Sequence, residues 1–169
     1  MELKTSRLRI SPLKVTDADS LFFLSNEPGL TLFQISDYRM RSVEHAWVWI
    51  QEKLAYLERN RIGTVGVYLD ETGILIGLCA LKYLGEEKNS DVEIMFRLSQ
   101  RYWGQGYATE LARALVDYAK IDLKVRRLVA TVDPKNEKSK RVLEKIGFSF
   151  ESVLKIQDLS EELYALNLT

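Results

Sequence analysis

The sequence predicts an α+β fold, in which a mixed, largely antiparallel sheet of six to seven strands is flanked by about four helices. Two observations carry most of this prediction. Residues 92–98 alternate between apolar and polar side chains, the period of a strand with two different faces. Residues 108–120 then repeat alanine and leucine at helical spacing. The length of 169 residues suits a single domain, 1–169, with a substantial core.

The first part of the chain predicts one strand and two helices. Residues 6–13 alternate as a strand, and Thr16 has the position of an N-cap before the apolar start of a first helix. Residues 27–41 contain proline and glycine and are predicted to be a loop or a broken helix. A second helix begins near Ser42. Its apolar stripe consists of Trp47, Ile50, Leu54 and Leu57.

The middle of the chain predicts an antiparallel meander followed by a parallel strand. Residues 64–69 and 74–84 flank a turn and form a hairpin, and a second loop at 85–90 leads to the strand at 92–98. Residues 126–132 form another strand. It can lie parallel to the strand at 92–98, because the connection between them contains a helix.

The end of the chain predicts a short helix and two strands. The helix follows Asn136, Gly147 has the position of its left-handed C-terminal cap, and Phe148 opens the next strand. Residues 159–168 supply the last strand. The apolar side chains of the short helix are Val142, Leu143 and Ile146.

Composition excludes several classes of function. Lys+Arg and Asp+Glu both number 24, so net charge indicates neither a nucleic acid nor an anionic membrane as partner. One cysteine and one histidine argue against a disulfide framework and a structural zinc site, and Cys79 lies in an apolar run that predicts a buried side chain. No signal sequence or membrane span is recognised, and we expect a soluble cytoplasmic protein.

A strand-to-helix turn at residues 101–106, RYWGQG, predicts an anion-binding site. Two glycines let the backbone approach a ligand closely, and the first N–H groups of the following helix have no partner within it. Those N–H groups and the helix dipole favour a phosphate there, and Arg101 can add a charge-assisted hydrogen bond. A pyrophosphate is therefore the predicted ligand.

Two other classes of phosphate site fit poorly. A nucleotide-triphosphate loop needs lysine and then serine or threonine after its second glycine, where this chain has Tyr107 and Ala108. A dinucleotide-binding fold needs a third glycine at the position of Thr109, and repeated parallel βαβ units. An ordinary glycine turn without a ligand remains the alternative.

Arg101, Gly104 and Gly106 match [RQ]-x-x-G-x-[GA], the motif of the GNAT superfamily of acetyl-coenzyme A dependent N-acetyltransferases, and the order of elements also resembles that superfamily. Residues 132–148 read V-D-P-x-N-x-x-S-x-x-V-L-x-K-x-G-F, and residues 102–110 read YWGQGYATE. Both phrases resemble the branch that acetylates ribosomal-protein N-terminal amines, spermidine and other small amines. The resemblance covers nearly the whole chain.

The resemblance implies transfer of an acetyl group from acetyl-CoA to a primary amine, by direct attack on the thioester in a ternary complex and without a metal. The acceptor is a protein N-terminus, a polyamine or another small amine, and a homodimer is possible. The alternatives are a non-catalytic acyl-CoA-binding protein of the same fold and a plain interaction domain. In the superfamily the two parallel strands splay apart beside the cofactor.

The same resemblance implies where acetyl-CoA binds. Phe96, Arg97 and Leu98 are expected to contact it through the main chain, and Asn136 to meet its pantetheine arm. Asn136 is equally suited to be a helix N-cap, and both roles are compatible. Lys138, Lys140 and Arg141 are predicted to lie on a solvated helix face, with the adenosine phosphates as the less favoured interpretation. The residues assigned to the pyrophosphate turn are Arg101, Tyr102, Trp103, Gly104, Gln105, Gly106, Tyr107 and Ala108.

The catalytic residues are predicted from position and chemistry together. Glu93 lies on the central strand, where superfamily members often place a general base, and the alternative is a solvated glutamate beside Lys82 or Arg97. Many members carry a tyrosine acid where this chain has Leu143, so Ser139, Tyr102 or a water would protonate the leaving thiolate, or the thiolate leaves unassisted. His45 is the only histidine, and a solvated helix position explains it as well as catalysis does.

Overall fold

A computed structural model of the protein describes most of the chain as two compact units. The residues described are 1–31, 39–84, 91–156 and 159–168. The first unit consists of Met1–Ala80 and Phe96–Tyr107, and the second of Leu81–Met95 and Ala108–Thr169.

The described residues form eight strands and five α-helices. The strands are β1 (Leu3–Lys4), β2 (Leu8–Ser11), β3 (Thr64–Leu69), β4 (Leu75–Tyr83), β5 (Val92–Leu98), β6 (Arg127–Val132), β7 (Ser149–Ile156) and β8 (Leu159–Asn167). The helices are α1 (Ala18–Ser25), α2 (Pro28–Thr31), α3 (Val43–Asn60), α4 (Tyr107–Ile121) and α5 (Glu137–Lys145).

The strands follow the order β1-β2-β3-β4-β5-β6-β8-β7. The pair β5 and β6 is parallel, whereas β1/β2, β2/β3, β3/β4, β6/β8 and β7/β8 are antiparallel. The predicted α+β fold with one parallel pair is therefore confirmed. The described residues contain one strand more than the sequence predicted, because Leu3 and Lys4 fold back against Ile10 and Arg9.

The start of the first helix differs from the prediction that Thr16 is its N-cap. A 3-10 turn, Val15–Asp17, precedes α1, and the carboxylate of Asp17 accepts a hydrogen bond from the Lys14 N–H at 2.7 Å. Asp17, one residue further on than Thr16, is the N-cap residue of α1, but its side chain makes no capping hydrogen bond to α1 and closes the 3-10 turn instead. The predicted broken segment contains α2, and its residues 32–38 lie outside the described part of the chain, as does the predicted loop 85–90.

Helix α3 begins as predicted, with the Ser42 hydroxyl accepting the His45 N–H at 3.1 Å. Its predicted apolar stripe is wrong at Trp47, which is 44% exposed, while Ala46 is fully buried. A stripe that starts at Ala46 keeps the 3.6-residue period through Ile50, and a small side chain suits the close contact. His45 itself is exposed, and its Nδ1 accepts the Arg41 N–H at 3.2 Å, in keeping with a solvated helix position.

Gly77 allows β4 to approach the end of β5 within the first unit. A Cβ atom at this position would lie 2.2 Å from the backbone oxygen of Arg97, and the neighbouring Ser99 N–H donates to the Ile76 oxygen at 2.8 Å. The sequence analysis did not single out Gly77. The absence of a side chain there fixes the position of the strand that leads into the RYWGQG turn.

Replacing Gly77 with alanine is expected to lower the free energy of unfolding by about 1–3 kcal/mol or more, because backbone atoms cannot yield to the added methyl group as a side chain would. Urea denaturation measures the change. Ile74→Ala on the same hairpin is the control, since Ile74 is half exposed and its truncation should change stability far less. Equal stability of Gly77→Ala and wild type would contradict the packing argument.

The second unit is built on β6 and β8, which pair from Arg127↔Asn167 to Val132↔Glu162. Helix α5 ends before Gly147, whose φ of 102° confirms the predicted left-handed cap, and Phe148 is buried as β7 begins.

Cys79 of the first unit is also buried as predicted, and burial raises the pKa of its thiol. Within the described residues, no helix is both long enough and apolar enough to cross a bilayer.

Candidate active site

The predicted anion-binding turn lies in the first unit and joins β5 to α4. A 3-10 turn, Gln100–Tyr102, leads into Gly104 at φ 75° and Gly106 at φ 83°, after which α4 begins. Both angles fall in the left-handed region that glycine adopts without strain. The indole Nε1 of Trp103 donates to the Leu98 oxygen at 2.8 Å and holds the turn against the end of β5.

The backbone of this turn is open to a ligand. Among the described residues, apart from its chain neighbours, a Cβ at Gly104 would meet no atom within 4 Å, and a Cβ at Gly106 would meet only the Arg7 guanidinium, at 3.4 Å. The Arg101 side chain is exposed. Because the first N–H groups of α4 have no acceptor within the helix, the turn can place several donors around one anion.

The second unit holds the predicted base. The carboxylate of Glu93 on β5 accepts a hydrogen bond from the Thr131 hydroxyl on β6, with Oε1 and Oγ1 2.6 Å apart. The alternative prediction, a solvated glutamate beside Lys82 or Arg97, did not include this hydrogen bond to Thr131. Thr131 fixes the orientation of the carboxylate and leaves its other oxygen to a second partner.

The pairing between the two parallel strands is short. Across the described lengths of β5 and β6, the registered pairs are Val92↔Leu128 and Glu93↔Val129. Beyond them β6 stays paired with β8 as far as Val132. Within the described lengths of β5 and β6, the registered pairing therefore ends at Glu93, which agrees with the splayed pair that the resemblance implied.

Glu161 on β8 is a further carboxylate, and no motif in the sequence marks it. It is only 6% exposed as a residue, and its side chain makes no hydrogen bond or ion pair with another described residue. Burial, together with the negative charges of Asp133 and Glu93, raises the pKa of this carboxyl. Glu161 lies two residues before Leu163 and so on the same face of β8. Thr131 of β6 shares this face, since Thr131 and Leu163 are opposite each other in the β6/β8 register.

Asn136 caps α5, as one of its two predicted roles requires. Its Oδ1 accepts the Ser139 N–H at 3.2 Å. The Lys140 ammonium contacts Glu137 and Glu162, each at 3.1 Å, and its side chain is largely buried, so it does not belong to the predicted solvated face. A binding role for its charge toward phosphates finds no support in this arrangement.

Leu143, which stands where many superfamily members have a tyrosine acid, is 1% exposed and therefore core. Leu143→Tyr is expected to lower the free energy of unfolding by about 1–3 kcal/mol without raising turnover, because the site has no room for a ring and hydroxyl. Thermal melting and initial rates measure both effects. Arg141→Tyr on the exposed face of α5 is the control. A Leu143→Tyr enzyme that melts like wild type and is faster would contradict this packing.

A match to a known protein family shows which family the chain belongs to. Residues 7–149 match the family described as "Acetyltransferase (GNAT) domain". The chain belongs to the GNAT acetyltransferase family. As a member, it is an N-acetyltransferase that transfers an acetyl group from acetyl-CoA to an amine.

Individual GNAT proteins resemble the chain over different lengths. "Probable N-acetyltransferase YjcK" of Bacillus subtilis (strain 168) is 32% identical over 156 residues, 89% of this chain and 85% of that protein. Spermidine N(1)-acetyltransferase of Escherichia coli (strain K12) is 37% identical over 62 residues, 37% of this chain and 33% of that protein. The structure of ribosomal-protein-S5-alanine acetyltransferase from Vibrio fischeri has TM-score 0.82 and 18% identity, covering 99% of this chain and 97% of that one.

The family match confirms the GNAT family that the motifs at 101–106 and 132–148 resembled. The predicted site residues divide between the two units. The first contains Phe96, Arg97, Leu98 and the turn from Arg101 to Tyr107, and the second contains Glu93, Ala108, Asn136 and Ser139.

Proposed function

We propose that the enzyme acetylates a primary amine that arrives as an ammonium ion, by direct attack of the deprotonated amine on acetyl-CoA in a ternary complex. The observation that supports the cationic acceptor most is Glu161. Glu161 is only 6% exposed as a residue, and its carboxylate has no hydrogen-bond or ion-pair partner among the described residues, although its oxygens keep some contact with solvent. Burial and the nearby negative charges disfavour the ionised form. A bound ammonium ion would supply the missing partner.

The acceptor class follows from the charges around Glu161. Asp133 and Glu93 act on its pKa, so three carboxylates of the second unit share one neighbourhood. Such a group favours a cation over a neutral or anionic molecule. Polyamines and peptide N-termini both carry ammonium groups, and a relative in this family is named as a spermidine acetyltransferase. A polyamine, with several positive charges, fits three carboxylates better than a single terminal amine does.

Glu93 is assigned as the general base. In the proposed reaction its carboxylate removes a proton from the ammonium, directly or through a water, and the neutral nitrogen attacks the thioester carbon. As the carbon–sulfur bond breaks, the attacking nitrogen loses its second proton to form the amide. That proton reaches the thiolate of coenzyme A through Ser139, Tyr102 or a water, so the relaying group ends neutral. The Thr131 hydroxyl supports Glu93 by holding one of its oxygens, which leaves the other free to face the nitrogen.

Acetyl-CoA is assigned to the turn in the first unit, with its pyrophosphate on the N–H groups from Gly104 to Ala108 and on Arg101. Phe96, Arg97 and Leu98 would contact the pantetheine through backbone groups. Asn136 and Ser139 are assigned to the cofactor by the family resemblance. No metal enters this scheme, since the charge that develops on the carbonyl oxygen can be met by N–H donors.

The proposal is tested by following thiol release from acetyl-CoA in the presence of an amine panel. The panel contains spermidine, putrescine, short peptides with free N-termini and the same peptides with blocked N-termini. We expect release with the free amines, with the largest kcat/KM for the polycations. Equal rates for free and blocked peptides, or release that no amine increases, would contradict amine acetylation. A preference for peptides over polyamines would overturn the polycation assignment alone.

A further inference from the structure

Arg7, near the start of the chain, contacts the turn at residues 101–106. It directly precedes β2, and its Nη1 donates a hydrogen bond to the Gln105 oxygen at 3.0 Å, a contact between residues 98 positions apart. Its guanidinium carbon also lies 4.2 Å from the centre of the Tyr107 ring. The two contacts fall on the residues immediately before and after Gly106.

The first contact controls the direction of a backbone donor. Gln105 C=O and Gly106 N–H belong to one planar trans peptide group, in which the oxygen and the hydrogen point in opposite directions. A bond that fixes the oxygen toward Arg7 therefore turns the Gly106 N–H away from Arg7. Without that bond, glycine on one side of the peptide leaves it free to rotate.

The second contact holds the other side of the glycine. A guanidinium over an aromatic ring is attracted to it, and Tyr107 is the first residue of α4. Tyr102, at the start of the turn, packs edge-on against the same ring with centroids 6.0 Å apart. Arg7, Tyr107 and Tyr102 thus connect the two ends of the turn and limit its conformations before any ligand arrives.

We propose that Arg7 is a positioning residue for acetyl-CoA, which orders the Gln105–Gly106 peptide so that its N–H faces the pyrophosphate. The inference rests on the proposed assignment of the turn to acetyl-CoA and adds to it a residue from outside the motif. Preorganised donors bind an anion more tightly because the conformational entropy has already been lost. Arg7 acts on the phosphates through the turn.

Arg7→Met tests this role, since methionine keeps an unbranched apolar chain but removes the hydrogen bond and the charge. We expect the Kd for coenzyme A, measured by titration calorimetry, to rise about tenfold. The KM for acetyl-CoA should rise in parallel while kcat at saturation is kept. S-acetylpantetheine lacks the pyrophosphate, so its kcat/KM should not change.

Arg9→Met is the matched control. Arg9 lies two residues further along the chain, in β2, and its guanidinium stacks over the Tyr68 ring at 4.4 Å and donates a hydrogen bond to the Ser11 hydroxyl. The Arg9→Met variant therefore loses an equivalent contact with a different aromatic ring, and its Kd for coenzyme A should remain that of wild type. A similar loss of affinity in both variants would indicate general loosening of the fold and would overturn the positioning role.

Two further outcomes separate this inference from the proposed function. Unchanged coenzyme A affinity in Arg7→Met, together with loss of affinity in Gly106→Val, would overturn the role of Arg7 and keep the turn as the phosphate site. Unchanged affinity in both variants would overturn the assignment of the turn itself. An equal fall in kcat/KM for acetyl-CoA and S-acetylpantetheine would show that Arg7 does not act through the pyrophosphate.

Discussion

Glu93→Gln is expected to lower kcat about a hundredfold or more at neutral pH while leaving the Kd for coenzyme A unchanged, since this is the usual size of a general-base contribution. Glutamine keeps the size of the side chain and can still accept the Thr131 hydroxyl through its amide oxygen. It cannot take a proton. Initial rates with a saturating amine, with calorimetry for coenzyme A, separate the loss of the base from any loss of binding.

The expected rate loss also has a pH signature. Without the carboxylate base, the variant depends on amine that is already neutral in solution. Its remaining activity should therefore rise with pH, as a larger fraction of the amine loses its proton. Glu144→Gln is the control, because Glu144 is exposed on α5 and should turn over like wild type. Wild-type turnover in Glu93→Gln would leave Glu93 as a structural partner of Thr131 and direct attention to Glu161 as the base.

Gly106→Val is expected to weaken coenzyme A binding by at least about a hundredfold. The residue has φ 83°, which a β-branched side chain rarely adopts, and the added carbons would approach Arg7 and cover the peptide that faces the phosphates. Loss of the local conformation and obstruction of the ligand act together. Calorimetric titration with coenzyme A measures the effect directly.

A second glycine provides the matched control for backbone strain. Gly73 in the β3–β4 turn also has a positive φ, 70°, and a Cβ there would meet nothing within 4 Å. Gly73→Val therefore introduces comparable strain at a distance in sequence from the phosphate turn, and should lower the melting temperature but not the affinity. Coenzyme A binding at wild-type strength by Gly106→Val would show that the turn does not bind the cofactor.

Local patterns explain why much of the fold was predictable. The alternation in β5 and the helical period of α4 are both patterns among neighbouring residues. The glycines between these elements predict the turn, because glycine adopts backbone conformations that other residues avoid. The N-cap at Asn136 and the left-handed Gly147 are also local, as each is defined within a few residues. The family motif falls on these same short segments, so the candidate cofactor residues could be named from sequence.

The features that the sequence did not predict depend on contacts between distant residues. Gly77 is required because the Arg97 backbone oxygen lies where a side chain would begin, and Arg7 acts through its hydrogen bond to the Gln105 oxygen. No periodicity in the sequence links the residues of either pair. Glu161 lies two residues before Leu163 and four before Ala165, so the period of a strand places it on their face. That this face is buried at Glu161 follows from the pairing of β8 between β6 and β7.

Glu161 also connects the chemistry of this enzyme with its thermodynamics. Because burial and the charges of Asp133 and Glu93 raise its pKa in the folded state, the native chain binds more protons than the unfolded chain between the ordinary and the raised value. Folding stability from this group is complete below the ordinary glutamate pKa and falls as the pH rises through the raised one. At neutral pH the enzyme without a bound amine is therefore less stable than its maximum. A cationic acceptor should raise the melting temperature as well as serve as a substrate.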